Sequence, residues 1–284
     1  MNIKVKRLFL VAAYDHDGIV DEALMYHMRK LKRFGDIILC MDCDAPESEL
    51  DKVRPYCMHV MASRHGEYDF GSYKRAFQWA RDNGILRDYI CLYLMNDSVY
   101  GPLFDMDEIF RKMESTRTNA SSITLSKHKT HSFMESWFVK LDKKVFLTPW
   151  FDEFISSVTI QPNKYDITIK YEHGLTNTIL ANGCSVRGLF LVRGRYTYNN
   201  PRELVMHGCP FIKKACFTRH NGAIGAQLKY VLDKTNVITR TAIMNSANRL
   251  YGADYMKWLL TSNPFRILVR KIKYATKKIK DAEI

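Results

Sequence analysis

The sequence predicts an α/β protein with a mainly parallel central sheet and a helical extension at its carboxyl end. Three observations predict it. Apolar runs of strand length alternate with helix-period segments from Leu8 to Met95. One of these runs, Tyr89 to Met95, is apolar throughout and rich in aromatic and branched residues, as a strand buried on both faces is. Polar loops follow the strands, at the edge where an open α/β sheet collects ligand-binding groups.

The elements follow in order. Leu8 to Ala13 reads as the first strand, with Tyr14-Asp15-His16-Asp17-Gly18 as the loop at its end. Val20 to Arg33 places Val20, Ala23, Leu24, His27, Met28 and Leu31 at helical period and ends in basic residues that suit the helix dipole. Asp36 to Met41 is the second strand, followed by an acidic loop and a short helix from Ser48. Val53 to Met61 reads as a third strand, Arg64 to Gly71 as a loop, and Ser72 to Asn83 as a helix. The central strand then ends at Asn96-Asp97-Ser98, and Gly101-Pro102 turns the chain away. This rhythm gives right-handed βαβ units. It sets the loops 14–18, 64–71 and 96–98 on one sheet edge.

Those loops carry the chemistry. A carboxylate at Asp97 suits a metal or a polar ligand, although Asn-Asp-Ser is also ordinary turn chemistry. Tyr14 is placed for a base or ribose, Arg64 for phosphate and Asp69 for a hydroxyl, while Gly71 allows close backbone approach. There is no Walker lysine motif and no GxGxxG, which disfavours a P-loop ATPase and a dinucleotide site. A nucleotide-sugar site remains.

After Leu103 the rhythm changes. Met106 to Met113 reads as a helix and Ala120 to Leu125 as a strand, before the basic, histidine-bearing loop 126–131. Phe133 to Leu141 and Trp150 to Val158 carry aromatics at helical spacing, and these serve either as core or as a wall against a sugar face. Ile167 to Lys170 looks like a strand ending in Glu172-His173, followed by a helix that Gly183 caps. Glu172 at that helix start is placed for general-base work, or simply complements the dipole.

The 284 residues carry 46% hydrophobic and 26% charged residues, ordinary for a folded chain. The net charge of +13 is not ordinary and points to an anionic partner: nucleotide phosphates, nucleic acid or an anionic membrane surface. No apolar run reaches the roughly 20 residues that span a bilayer. Met1 to Arg7 leads straight into the first strand, which reads as working structure and not as a signal peptide. Seven scattered cysteines suit a reducing compartment, and Cys40-Met41-Asp42-Cys43 lacks the second pair that a zinc site needs.

Asp69-Phe70-Gly71, Asn96-Asp97-Ser98 with Gly101-Pro102, Glu135-Ser136-Trp137-Phe138, and Tyr171-Glu172 with Gly183 occur in this order. Together with Pro210-Phe211-Ile212-Lys213 they resemble the rhamnan synthesis protein F family of bacterial polysaccharide glycosyltransferases, over about residues 8 to 215. The resemblance implies a GT-A-like nucleotide-sugar-binding fold. It also implies transfer of rhamnose or a related hexose to a growing surface polysaccharide such as O-antigen, capsule or lipopolysaccharide, with inversion. On that mapping residues 1–215 are the transferase domain, with a donor half over about 1–104 and an acceptor half over about 105–215; residues 216–284 are a basic helical region.

Asn96-Asp97-Ser98 takes the place of the Asp-x-Asp motif that binds Mg²⁺ or Mn²⁺ with the donor diphosphate, and it keeps one carboxylate. Donor contacts fall on Tyr14, Arg64, Asp69, Gly71, Asn96, Asp97 and Ser98. Acceptor contacts fall on Glu135, Trp137 and His173, the metal on Asp97 and His207, and the base on Glu172. The tail over Asn263 to Lys280 places Phe265, Leu268, Val269, Ile272, Ala275 and Ile279 on one stripe flanked by lysine and arginine. Such a helix either packs on the domain or lies at an anionic membrane surface, each basic charge adding about 1 kcal/mol. The second case suits a peripheral enzyme on the cytoplasmic face of the inner membrane with a lipid-linked acceptor. A nucleic-acid-binding protein and a non-catalytic accessory subunit are the rival readings. Neither RNP, helix-turn-helix nor zinc-finger patterns are present.

Overall fold

The computed structural model describes residues 6–115, 117–128, 131–219, 223–269 and 272. In chain order the elements are β1 (Arg7–Ala13), α1 (Glu22–Leu31), β2 (Asp36–Met41), α2 (Glu47–Leu50), β3 (His59–Ala62), α3 (Tyr68–Asp82), β4 (Cys91–Asn96), β5 (Val99–Tyr100) and α4 (Asp107–Glu114). Then come β6 (Ala120–Lys127), β7 (Ser132–Met134), β8 (Phe138–Asp142), α5 (Lys143–Phe146), α6 (Pro149–Ser156) and α7 (Lys164–Ile167). A π-helical segment, Thr168–His173, joins α7 to α8 (Gly174–Ala181), and β9 (Val186–Val192), α9 (Tyr196–Asn199) and α10 (Pro201–Met206) follow. The last are β10 (Ile212–Lys213), α11 (Ile224–Lys234), α12 (Val237–Tyr251) and α13 (Ala253–Leu259).

The chain divides into two units. The first comprises Met1–Asp97 and Asp107–Gly194, the second Ser98–Met106 and Arg195–Ile284. Residues 195–215, which the sequence reading gives to the first domain, therefore cluster with the carboxyl-terminal part, because β5 pairs antiparallel with β10.

The first unit is a mixed α/β structure around one sheet with strand order β3-β2-β1-β4-β8-β6-β7, with β9 also pairing with β6. The pairs β1/β2, β2/β3, β1/β4 and β6/β9 are parallel, whereas β8 runs against both β4 and β6. β4 is buried along its whole length, between β1 and β8, as its unbroken apolar run requires. α3 covers one face through Phe70, Tyr73, Phe77 and Ala80, all nearly or wholly inaccessible. They share a core with Phe151, Tyr171 and Ile179.

Several expected elements differ. α3 begins at Tyr68, not Ser72, so Asp69 and Gly71 lie in a helical first turn; the apolar period already starts at Phe70, and Asp69 complements the helix dipole. The third strand is limited to β3, because Arg54–Tyr56 form a 3₁₀ turn. Phe133 to Leu141 is not a helix but parts of β7 and β8, whose burial hides the two-residue alternation.

Ile167 to Lys170 is not a strand. It lies inside one helical stretch from α7 to α8, whose start is fixed by Asn163 accepting the Asp166 amide at 3.0 Å. Ile167, Tyr171, Leu175 and Ile179 recur at four-residue spacing and are buried, so packing overrides the branched, strand-like composition. The far end closes as expected: Gly183 takes φ +73°, and the Gly183 and Cys184 amides bond to the Leu180 and Ile179 carbonyls.

In the second unit the β5/β10 ribbon packs with α12 through Tyr100, whose hydroxyl lies 3.1 Å from Ser246 Oγ. Seventeen Lys and Arg against six Asp and Glu fall in this unit, so most of the +13 resides there. Of the expected amphipathic tail, residues 264–269 are helical and Phe265, Leu268 and Ile272 are exposed. Arg270, Lys271 and residues 273–280, with Ala275 and Ile279, lie outside the described residues. No helix among the described residues is long and apolar enough to cross a membrane.

Candidate active site

The parallel strands β1, β2, β3 and β4 deliver four loops to one sheet edge. Asp42, just past β2, accepts the His65 and Gly66 amides at 2.8 and 2.9 Å and so shapes the turn ahead of α3. Asp15, past β1, does the same for the Asp17 and Ile19 amides at 3.0 and 3.1 Å. Buried carboxylates here organise backbone.

Gly71 is needed where it stands. A Cβ added there would lie 2.3 Å from Glu67 Cβ. Glu67 is itself buried, and although burial alone would raise its carboxyl, Lys74 at 2.8 Å and Arg75 at 2.6 Å hold it below the usual range. The first turn of α3 is thereby locked, which fixes the direction of Asp69.

Four of the expected residues converge. Asn96 is 3% exposed and its Nδ2 donates to Asp69 Oδ2 at 2.6 Å, linking the end of β4 to α3. Asp97 follows, its amide donating to the Ala12 carbonyl at 3.0 Å, so the β1/β4 ladder holds the backbone that carries this half-buried carboxylate. The link from these groups to Glu172 is Tyr73, which the sequence reading missed. Its phenol donates to the Ser136 carbonyl at 3.0 Å. Burial pushes this phenol well above its ordinary value, the Asp69, Glu172 and Asp97 charges add to the rise, and a hydrogen bond with Asn96 opposes it. Tyr73 therefore stays protonated and donating.

Ser136, also missed as a site residue, completes the chain. Its amide and hydroxyl both donate to Glu172 Oε1, at 2.6 and 2.8 Å. Glu172 thus stands in mid-helix, in the π-helical segment, and not at a helix amino terminus as the sequence suggested. A π turn carries one extra residue per turn and recurs at functional sites. Here it sets Glu172 towards Ser136 while its neighbour His173 stacks on Phe133, ring centroids 3.7 Å apart.

The remaining expected residues lie outside this hydrogen-bonded chain. Trp137 is 2% exposed, and its indole donates to Thr124 Oγ1 at 2.9 Å and Glu135 Oε2 at 3.0 Å, so both residues are spent on a buried network and offer no face to a sugar. A sugar would need the ring open to solvent. Tyr14 is exposed at the end of β1, and Arg64 is exposed with its Nε 3.3 Å from Asp44. Ser98 and His207 belong to the second unit, where Lys213 Nζ donates to Ser98 Oγ at 2.9 Å and His207 Nδ1 lies 2.8 Å from the Glu203 carbonyl. No cluster of three His, Cys, Asp or Glu suited to a metal ion occurs among the described residues. Cys40 and Cys43 are buried free thiols, and burial pushes Cys40 up to about 11.

A family model described as rhamnan synthesis protein F matches residues 37–280. No curated protein matches the chain. Among solved structures, a putative nucleotide-diphospho-sugar transferase from Desulfovibrio desulfuricans G20 is similar over 78% of this chain and 96% of that one, at 14% identity and a TM-score of 0.42. The mannosyltransferase Ktr4p of S. cerevisiae is similar over 60% and 62%, at 8% identity and a TM-score of 0.36. Core-mannan synthase A of Aspergillus fumigatus, in an Mn/GDP form, is similar over 54% and 63%, at 11% identity and a TM-score of 0.32. Likenesses this distant carry no argument about chemistry.

Proposed function

The chain belongs to the rhamnan synthesis protein F family, and from that premise we propose that it is a nucleotide-sugar-dependent glycosyltransferase that extends a bacterial surface polysaccharide, with Glu172 as the general base. The observation that carries this reading is the hydrogen-bonded chain Asp69–Asn96–Tyr73–Ser136–Glu172, which ties the donor-side motif to one oriented carboxylate.

The step is an in-line displacement at the anomeric carbon. Glu172 takes the proton of the acceptor hydroxyl, the acceptor oxygen forms its bond to the anomeric carbon, and the bond to the donor diphosphate breaks with its electron pair leaving on phosphate oxygen. Inversion follows from a single displacement. Ser136 keeps Glu172 Oε1 directed, so little reorganisation is needed at the moment of transfer. Arg64 supplies positive charge for the departing diphosphate. Asn96 spends its amide on Asp69, which leaves Asp97 as the motif carboxylate that would hold Mg²⁺ or Mn²⁺ together with diphosphate oxygens, the cation neutralising leaving-group charge.

The donor sugar in this reading is rhamnose or a related hexose, and the acceptor is a lipid-linked glycan. The basic second unit and the exposed Phe265, Leu268 and Ile272 support attachment to an anionic membrane surface, which for this chemistry is the cytoplasmic face of the inner membrane.

A thermal-shift screen against dTDP, UDP, GDP and CDP, each with and without Mg²⁺ or Mn²⁺, tests the donor half of the reading. One diphosphate raises Tm if it is correct. No shift with any of the four at millimolar concentration overturns it.

A further inference from the structure

The π-helical segment directs two adjacent side chains to different places, and only Glu172 is used above. His173 begins a group of four planar rings. Its imidazole stacks on Phe133 at 3.7 Å with 27° between planes, His131 lies 5.1 Å from His173 at 50°, and His128 lies 5.0 Å from His131 at 11°. The His128 amide donates to the His131 carbonyl at 2.8 Å, so the two outer rings come from the facing ends of the β6/β7 hairpin. Phe133 is buried, His173 half-buried, and His128 and His131 exposed. The group thus runs outwards from the residue next to Glu172.

We propose that His173, His131 and His128, backed by the buried Phe133, form the docking surface for the acceptor glycan, against which deoxyhexose rings lay their C–H faces. The inference rests on Glu172 being the base, because it is continuity with that carboxylate that selects an acceptor over other occupants. Ring faces carry negative quadrupole and attract the slightly positive C–H bonds of a sugar, and a 6-deoxyhexose adds a methyl group to that apolar contact. An imidazole in its neutral form, as at His173, also offers one N–H donor and one nitrogen acceptor for the ring hydroxyls. Burial holds His173 below its ordinary value, and the neighbouring His131 and His128 act in the same direction, so the inner ring is uncharged at neutral pH and suits a neutral sugar better than an anion.

The test uses the full chain and a rhamnose trisaccharide as probe, with binding followed by saturation-transfer NMR and calorimetry in the absence of donor. Wild type is expected to bind it, and E172Q is carried alongside to report transfer. The double variant H128A/H131A, altered at exposed positions, is expected to lose about tenfold in affinity, and H128F/H131F to recover most of it. The nucleoside diphosphate shift stays unchanged in all four proteins. Equal trisaccharide binding by wild type and H128A/H131A overturns the docking surface while leaving Glu172-dependent transfer intact. Loss of trisaccharide binding in H128A/H131A, rescued by phenylalanine, in a protein that transfers no sugar upholds the surface and overturns the transferase reading. Absence of trisaccharide binding by wild type also overturns the surface.

Discussion

Glu172 takes two hydrogen bonds from one residue, the amide and the hydroxyl of Ser136, both onto the same carboxylate oxygen. Two donors from one residue fix the plane of a carboxylate better than either alone. E172Q should lower sugar transfer by about 10²- to 10⁴-fold, the span typical of a lost general base, while donor binding stays intact. S136A keeps the amide donor and should cost far less. Initial transfer rates with saturating donor separate the two, and equal losses would argue against Glu172 as the base.

Tyr73 couples the two halves of the site from inside the core. Y73F leaves the Ser136 carbonyl without its phenol donor, so it should destabilise the protein by about 1 kcal/mol. Its effect on transfer should exceed that of an equally destabilising core change such as I38V. Urea melts paired with transfer assays give both numbers.

Asn96 meets Asp69 at 2.6 Å in a nearly inaccessible position. N96D, which would recreate a second motif carboxylate, sets two acids against each other. They share a proton at low pH and repel once both ionise. Tm of the variant should therefore fall further below wild type as pH rises from roughly 5 to 8. A constant gap across that range would show that Asp69 does not sense residue 96.

His59, stacked on Trp79, and His173 are both held below the ordinary histidine value by burial. Unfolded histidine takes up its proton near about pH 6.5, and the folded chain only at lower pH. Protons thus favour the unfolded state in that window, so stability is complete above about 6.5 and is lost as pH falls through it. Thermal melts between roughly pH 7.5 and 5 should show the decline, and H59N should flatten it.

Arg7 pairs with Glu114 at 2.7 Å beside the Tyr93 hydroxyl, largely out of solvent. R7M strands the carboxylate and should cost about 3 kcal/mol. A double variant R7M/E114Q should recover part of that loss, measured by chemical denaturation.

The parallel half of the sheet was legible because each βαβ step is local: strand, polar loop and helix lie within one stretch of sequence. The helix around Glu172 was not. Its run Ile167-Thr168-Ile169 has strand composition, and only the cap at Asn163 and the buried row Ile167, Tyr171, Leu175, Ile179 reveal the helix. That row was visible in the sequence and outweighed by branched residues. Asp69, Asn96, Asp97 and Glu172 were picked out individually, whereas Tyr73 and Ser136, which join them, lie 63 positions apart and carry no motif that pairs them. Trp137 reads from its spacing as core or as a sugar wall, and its burial decides for core.

The second unit is assembled from two separated pieces of chain, with Val99–Tyr100 paired to Ile212–Lys213. During synthesis the earlier strand emerges on the order of ten seconds before its partner, at ordinary elongation rates. Until then its backbone presents an unpaired edge, on which a second nascent chain can dock. Expression yield should thus depend on how quickly residues 195–234 are translated, and a fragment ending near Gly194 would keep that edge open permanently.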